Sequence, residues 1–216
     1  MPARPQVHER HRCRRRRPGG GGVAGTEKRP AVFLDRDGTI NLDAGYIERL
    51  ERFELYPFAI DAIRLFKQAG YLVVILTNQA GVAHGMYGED FVATLADHLA
   101  DRAKAGGGQI DGHYHCPHSP DGVVPQYRTD CDCRKPKPGM ARRAAEDLGI
   151  DLQRSVVIGD RWRDIAVAQA IGARGILVKT GYGATEALRP QPGISADAVC
   201  DDLIGAAVWL LDNPRS

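Results

Sequence analysis

Two carboxylates one residue apart, Asp35 and Asp37, close a short apolar run, Ala31-Val32-Phe33-Leu34, and lead into Gly38-Thr39. A run with β-branched and aromatic side chains of that length reads as a buried strand. Paired acids at a strand end repel one another unless a cation or a proton offsets them, so the pattern points to a metal and to carboxylate chemistry. A second grouping is Cys116-Pro117-His118 followed by Cys131-Asp132-Cys133, joined by a polar loop of about a dozen residues. Thiolates and imidazole are the usual tetrahedral Zn²⁺ ligands, and two close pairs across a loop suit a closed structural site. The competing reading is a disulfide, but a bond between Cys131 and Cys133 would be strained, and no export signal is expected. A zinc ion there would tie down the loop immediately before Arg134 and Lys135. His113 and His115 alternate along the next predicted strand and read as packing residues, held in reserve as ligands should His118 not serve.

The elements that must position these residues follow from periodicity. Strands are predicted over 71–76, 110–116, 155–158 and 175–178, besides the run that ends at Asp35. Helices are predicted over 56–68, 88–105, 140–148, 164–171 and 202–211, with Pro57 near the start of the first and Gly70 closing it. Strands alternating with helices imply an α/β fold with a doubly wound parallel sheet. In such sheets ligands bind beyond the carboxyl ends of the strands. Asp35, Asp37, Thr77 and Asp160 all fall at such ends. The room between Thr39 and Thr77 suffices for one flap and one helix, so no large cap domain is expected.

At 216 residues the chain suits one domain of ordinary size, and 43% hydrophobic with 26% charged residues is a globular composition. No stretch approaches the ~20 apolar residues of a membrane span. The net charge of +2 is uneven. Residues 1–29 hold nine Lys or Arg against two acids, which leaves 20 basic and 25 acidic residues in the remainder. That segment, with Arg14 to Arg17 and Gly19 to Gly22, has too few apolar residues to build a core and reads as a disordered basic extension. Residues 30–216 read as the catalytic domain.

The strand ending in Asp35-Arg36-Asp37-Gly38-Thr39 resembles the first motif of the haloacid dehalogenase superfamily of phosphotransferases. That resemblance implies that Asp35 is the nucleophile, forming an aspartyl-phosphate, and that Asp37 is the general acid and then the base. Thr77 would donate to a phosphoryl oxygen, and Lys135 would supply positive charge to the same oxygens. Asp160 would complete a Mg²⁺ site with the Asp35 carboxylate and the Asp37 backbone carbonyl. With the Cys/His loop added, residues 30–190 are similar to the small histidinol-phosphatase and heptose-bisphosphatase family, nearest to the D-glycero-D-manno-heptose 1,7-bisphosphate 7-phosphatases. The resemblance gives Cys116, His118, Cys131 and Cys133 as zinc ligands. It gives Arg36, the flap Asp43-Ala44-Gly45-Tyr46, the stretch Asn78-Gln79-Ala80, Arg134 and Arg161 as substrate contacts. The chain departs from the family at Ala80 and His84, where Ser and Arg are usual.

The resemblance implies Mg²⁺ and Zn²⁺ as cofactors and a small phosphorylated sugar as substrate, in a cytoplasmic, monomeric enzyme with no membrane or nucleic-acid partner. Histidinol phosphate, or another small sugar phosphate, stays open as the substrate within the same chemistry. From a different class, the Arg-rich segment would anchor a nucleic-acid 3′-phosphate end-processor.

Overall fold

The computed structural model describes residues 27–214. Six strands form one parallel sheet in the order β3-β2-β1-β4-β5-β6: β1 Arg29–Leu34, β2 Leu72–Asn78, β3 Gly112–Cys116, β4 Ile150–Gly159, β5 Arg174–Val178 and β6 Ala198–Cys200. The helices are α1 Ala59–Gln68, α2 Glu89–Ala105, α3 Gly139–Leu148, α4 Trp162–Ile171, α5 Gly183–Ala187 and α6 Leu203–Asp212. The sheet is doubly wound, as alternation of the strand side chains requires. Val32, Leu34, Val73, Ile75, Val156 and Ile158 pack with α1, α2 and α6 on one face. Ala31, Phe33, Val74, Leu76 and Val157 pack with α3 and α4 on the other. Both faces are covered, which is why these strands read as unbroken apolar runs rather than as alternating ones.

Chain reversal at the strand ends is local and compact. The predicted strand 155–158 is the buried half of a longer β4, whose register against β1 slips: Pro30 lies opposite Asp151, but Val32 lies opposite Val156. The Ser155 hydroxyl fills the break, accepting from the Ala31 N–H at 2.9 Å and donating to the Asp151 carbonyl at 2.5 Å. The short α5 and β6 were not predicted. β6 has three residues and none of them is buried, so no apolar run marks it.

Among the described residues no large cap domain covers the sheet. The β1–α1 connection is a flap pinned by bridges of Asn41 to Asp37 and to Leu55. The β3–α3 connection is the Cys/His loop, with one 3-10 turn at Pro125–Tyr127. Of the basic extension expected over 1–29, residues 1–26 lie outside the described residues, and Arg29 already belongs to β1. Among the described residues no helix is long and apolar enough to cross a membrane.

Candidate active site

Three strand ends and one loop meet around Lys135. Asp35 follows β1, Thr77 and Asn78 end β2, Asp160 follows β4, and Lys135 comes from the β3–α3 loop. The Lys135 ammonium lies 2.7 Å from Asp35 Oδ1 and 2.6 Å from Asp164 Oδ1, and it donates to the Leu76 carbonyl at 2.8 Å. Burial works against its charge, but Asp164 and Asp35 outweigh that and hold its pKa above the ordinary lysine value. Its backbone is clamped as well. The Lys135 N–H donates to Asn78 Oδ1 at 3.0 Å, and Asn78 Nδ2 returns a bond to the Lys135 carbonyl at 3.2 Å.

Asp35, Asp160 and Asp164 bring their carboxylates within 4.8 Å of one another. Burial pushes Asp35 up to about 6, with Lys135 pulling the other way. Burial, with Asp35 adding, pushes Asp160 up to about 8. Asp160 Oδ2 accepts from the Tyr182 N–H at 2.8 Å, whereas Oδ1 is buried without a partner. Three carboxylates thus face one ammonium, which leaves two formal negative charges for a divalent cation to cancel. The donor set is all oxygen, as Mg²⁺ requires. Gly38 keeps this site open: at φ +85, a Cβ there would lie 2.3 Å from Asp160 Oδ2. Asp164 was not singled out from the sequence. At the third position of α4 its Oδ2 caps the Arg161 N–H at 3.2 Å, and the spacing signals a helix start rather than an ion pair.

The cleft above this floor encloses about 300 Å³. Asp35, Asp37, Thr77, Asn78, Gln79 and Ala80 form its base. Asp43, Gly45 and Tyr46 of the flap line it as well, with Lys135 from the floor and Arg134 and Arg161 beside it. Ala44 and Arg36 do not line it. Arg36 is buried, and its guanidinium turns onto the Asp37 carboxylate. Three further residues line the cleft that sequence reasoning missed: Tyr87, Arg163 and Tyr182. Arg161 stacks its guanidinium 3.5 Å above the Tyr182 ring and reaches to within 3.8 Å of Asp43 Oδ2. His84 stands beside the rim, its ring 6.0 Å from that of Tyr46.

Cys116, His118, Cys131 and Cys133 come together beneath Arg134. Cys116 Sγ is 3.4 Å from Cys131 Sγ, which is 3.2 Å from Cys133 Sγ, and His118 Nδ1 lies 3.4 Å from Cys133 and 3.8 Å from Cys116. These separations exceed a disulfide bond of about 2.05 Å. They approach the edges, near 3.8 Å, of a tetrahedron with metal–sulfur bonds of about 2.3 Å. The cluster is fit to hold a metal ion with His118 as its nitrogen ligand. His113 and His115 take other places: His113 is half-buried with its Nε2 enclosed, and His115 Nε2 meets Glu89 Oε2 at 3.1 Å. Arg134 is tied to this loop, its Nη1 donating to the His118 carbonyl at 3.0 Å.

A family model described as HAD-hydrolase-like matches residues 132–206, the stretch from Asp132 past Asp160 and Asp164. The D-glycero-beta-D-manno-heptose-1,7-bisphosphate 7-phosphatase of Yersinia pestis is 43% identical over 166 residues, covering 74% of this chain and 86% of the relative. The Escherichia coli K12 enzyme of the same name is 43% identical over 180 residues, covering 81% and 90%. Among solved structures, the D,D-heptose 1,7-bisphosphate phosphatase from B. bronchiseptica, complexed with magnesium and phosphate, superposes with a TM-score of 0.76 at 32% identity, covering 85% of this chain and 98% of that one. Identity of this extent, over most of both chains and on the same fold, means that the chain belongs to the heptose bisphosphate phosphatase family of HAD-like phosphoric monoester hydrolases.

Proposed function

We infer that the enzyme removes the 7-phosphate of D-glycero-D-manno-heptose 1,7-bisphosphate by way of an aspartyl-phosphate on Asp35. The observation that carries this reading is the arrangement of charge: a buried Asp35–Lys135–Asp164 floor under a rim with Arg134, Arg161 and Arg163. One phosphate meets the floor while a second is held by the arginines, which suits a small bisphosphate better than a cationic substrate. Relatives with this substrate in their names support the same choice.

The Asp35 carboxylate attacks phosphorus opposite the sugar oxygen. As the P–O bond to the sugar breaks, its electron pair goes to that oxygen, which takes a proton from Asp37. A water then gives a proton to Asp37 and attacks the aspartyl-phosphate, releasing phosphate and restoring Asp35. Lys135 and Thr77 stabilise charge on the phosphoryl oxygens that do not leave. Asp35, Asp160 and the Asp37 carbonyl would hold Mg²⁺, which when bound neutralises phosphate charge. Zinc at Cys116, His118, Cys131 and Cys133 would be structural, fixing the loop that carries Arg134 and Lys135.

The test is phosphate release with and without Mg²⁺ from α and β heptose 1,7-bisphosphate, histidinol phosphate and fructose 1,6-bisphosphate. A Mg²⁺-dependent preference for a heptose bisphosphate is expected, of at least about tenfold over histidinol phosphate, because a second phosphate adds a charge-assisted guanidinium contact. Equal slow turnover of all four would reject the named substrate and turn attention to Ala80 and His84. Asp35→Asn should abolish turnover while leaving the circular dichroism spectrum unchanged, and retained activity would remove Asp35 as nucleophile.

A further inference from the structure

The side chain of Arg36 is 2% exposed and lies under the flap rather than in the cleft. Its Nε donates to Asp37 Oδ1 at 3.1 Å, and its Nη2 donates to Oδ1 at 3.0 Å and to Oδ2 at 2.9 Å. Its Cζ is 5.7 Å from the Phe53 ring centre, and Nη1 is buried with no partner. A buried guanidinium whose two Nη1 N–H groups lack partners is costly, and Asp37 is the acidic side chain bonded to its other two nitrogens. Two amides complete the enclosure. Asn41 Nδ2 donates to Asp37 Oδ1 at 3.0 Å and Gln79 Nε2 donates to Oδ2 at 2.9 Å.

The Gln79 amide is itself oriented. The Tyr87 hydroxyl donates to Gln79 Oε1 at 2.9 Å, which turns Nε2 toward Asp37 and toward Thr77 Oγ1, 2.7 Å away. Tyr87 reaches that place because residue 81 is glycine: a Cβ there would lie 2.3 Å from Tyr87 Cζ. Both oxygens of Asp37 are therefore fixed by donors that are set from the protein side. The planar fork of an arginine fixes the plane of a carboxylate as well as its place, which a lysine cannot do.

We propose that Arg36, supported by Gln79, is a positioning residue that aims the Asp37 carboxyl at the leaving oxygen, and is not a substrate contact. This rests on the reading of Asp37 as the acid. The step served is the breaking of the P–O bond, in which the departing alkoxide oxygen receives the Asp37 proton. An alkyl leaving group needs that proton, whereas p-nitrophenolate departs without it.

The experiment compares kcat/KM for two monophosphates, glycerol 3-phosphate and p-nitrophenyl phosphate, in the Mg²⁺-loaded full chain. This constant reports formation of the aspartyl-phosphate and not its hydrolysis. For Arg36→Met and for Gln79→Met, the alkyl-to-aryl ratio is expected to fall at least about tenfold, within the range general-acid catalysis contributes. Arg36→Lys keeps the charge but not the fork, and its ratio should fall in the same direction. An equal loss on both substrates in both Met variants would make Arg36 a binding or merely structural residue and overturn the proposal. Asp37→Asn is run beside them. If it leaves the ratio unchanged, the assignment of Asp37 as acid fails. If it lowers the ratio and neither Met variant does, the positioning role alone fails. Should Arg36→Met not fold, Gln79→Met carries the same expectation without emptying the buried guanidinium site.

Discussion

Lys135 has three N–H donors, and Asp35, Asp164 and the Leu76 carbonyl occupy all three. The acids around it are less settled, and their titration can be measured. Burial raises Asp160 from the ordinary carboxylate value to about 8, so the metal-free folded chain binds a proton there that the unfolded chain has released. Between the two values the native state holds more protons, and the contribution of Asp160 to stability falls as pH rises. In the presence of a chelator, the Tm of the parent chain relative to Asp160→Asn should therefore drop from about pH 5 to about pH 8. Added Mg²⁺ should reverse the drop, because a cation replaces the proton. A pH-independent Tm difference would refute the buried-acid assignment. The convergence of Asp35, Asp37, Thr77, Lys135 and Asp160 at one sheet edge was legible because each ends an apolar run or stands in a dense motif. Asp164 was not, because an acid in a first helical turn looks the same in sequence whether it caps the helix or holds a buried lysine. Arg36, expected at the substrate, instead lies outside the cleft lining with its guanidinium on Asp37. The sequence puts it beside Asp37, but only packing under Phe53 shows which way it turns.

At the scale of elements, the β3–α3 loop is the part whose shape depends on more than its own backbone. Cys116 and His118 begin it, Cys131 and Cys133 end it, and Arg134 bonds back to the His118 carbonyl. α2 holds the loop from the side, where Glu89 accepts from the Tyr127 hydroxyl at 2.8 Å and meets His115. Purified protein should contain about one zinc per chain. Stripping it should lower kcat/KM for the heptose bisphosphate by at least about tenfold, since losing the groups that orient a metal site's surroundings commonly costs that much. Zinc and activity should return together on reconstitution; a zinc-free preparation of full activity would reject the site. The core strands and long helices were readable within a few residues because both sheet faces bury apolar side chains. α5 and β6 were not, being too short to establish a period.

Over the whole molecule, every residue assigned to the site falls between Asp35 and Tyr182, and the Lys/Arg excess falls before β1. A chain beginning at residue 27 should keep its kcat/KM for the sugar phosphate within about twofold, as expected of changes remote from a site. A large loss would show that the basic segment takes part in the reaction, and would revive the nucleic-acid reading if it also removed salt-dependent binding. The sheet carries a flap and a loop over its carboxyl edge and no inserted domain. With no inserted domain over the cleft, a bound ligand itself helps to keep bulk water from the phosphoryl group. A bisphosphate long enough to span from the floor to the arginines is its own stopper, and a short monophosphate is not. Selectivity among phosphate esters then becomes a matter of how well each molecule corks the opening.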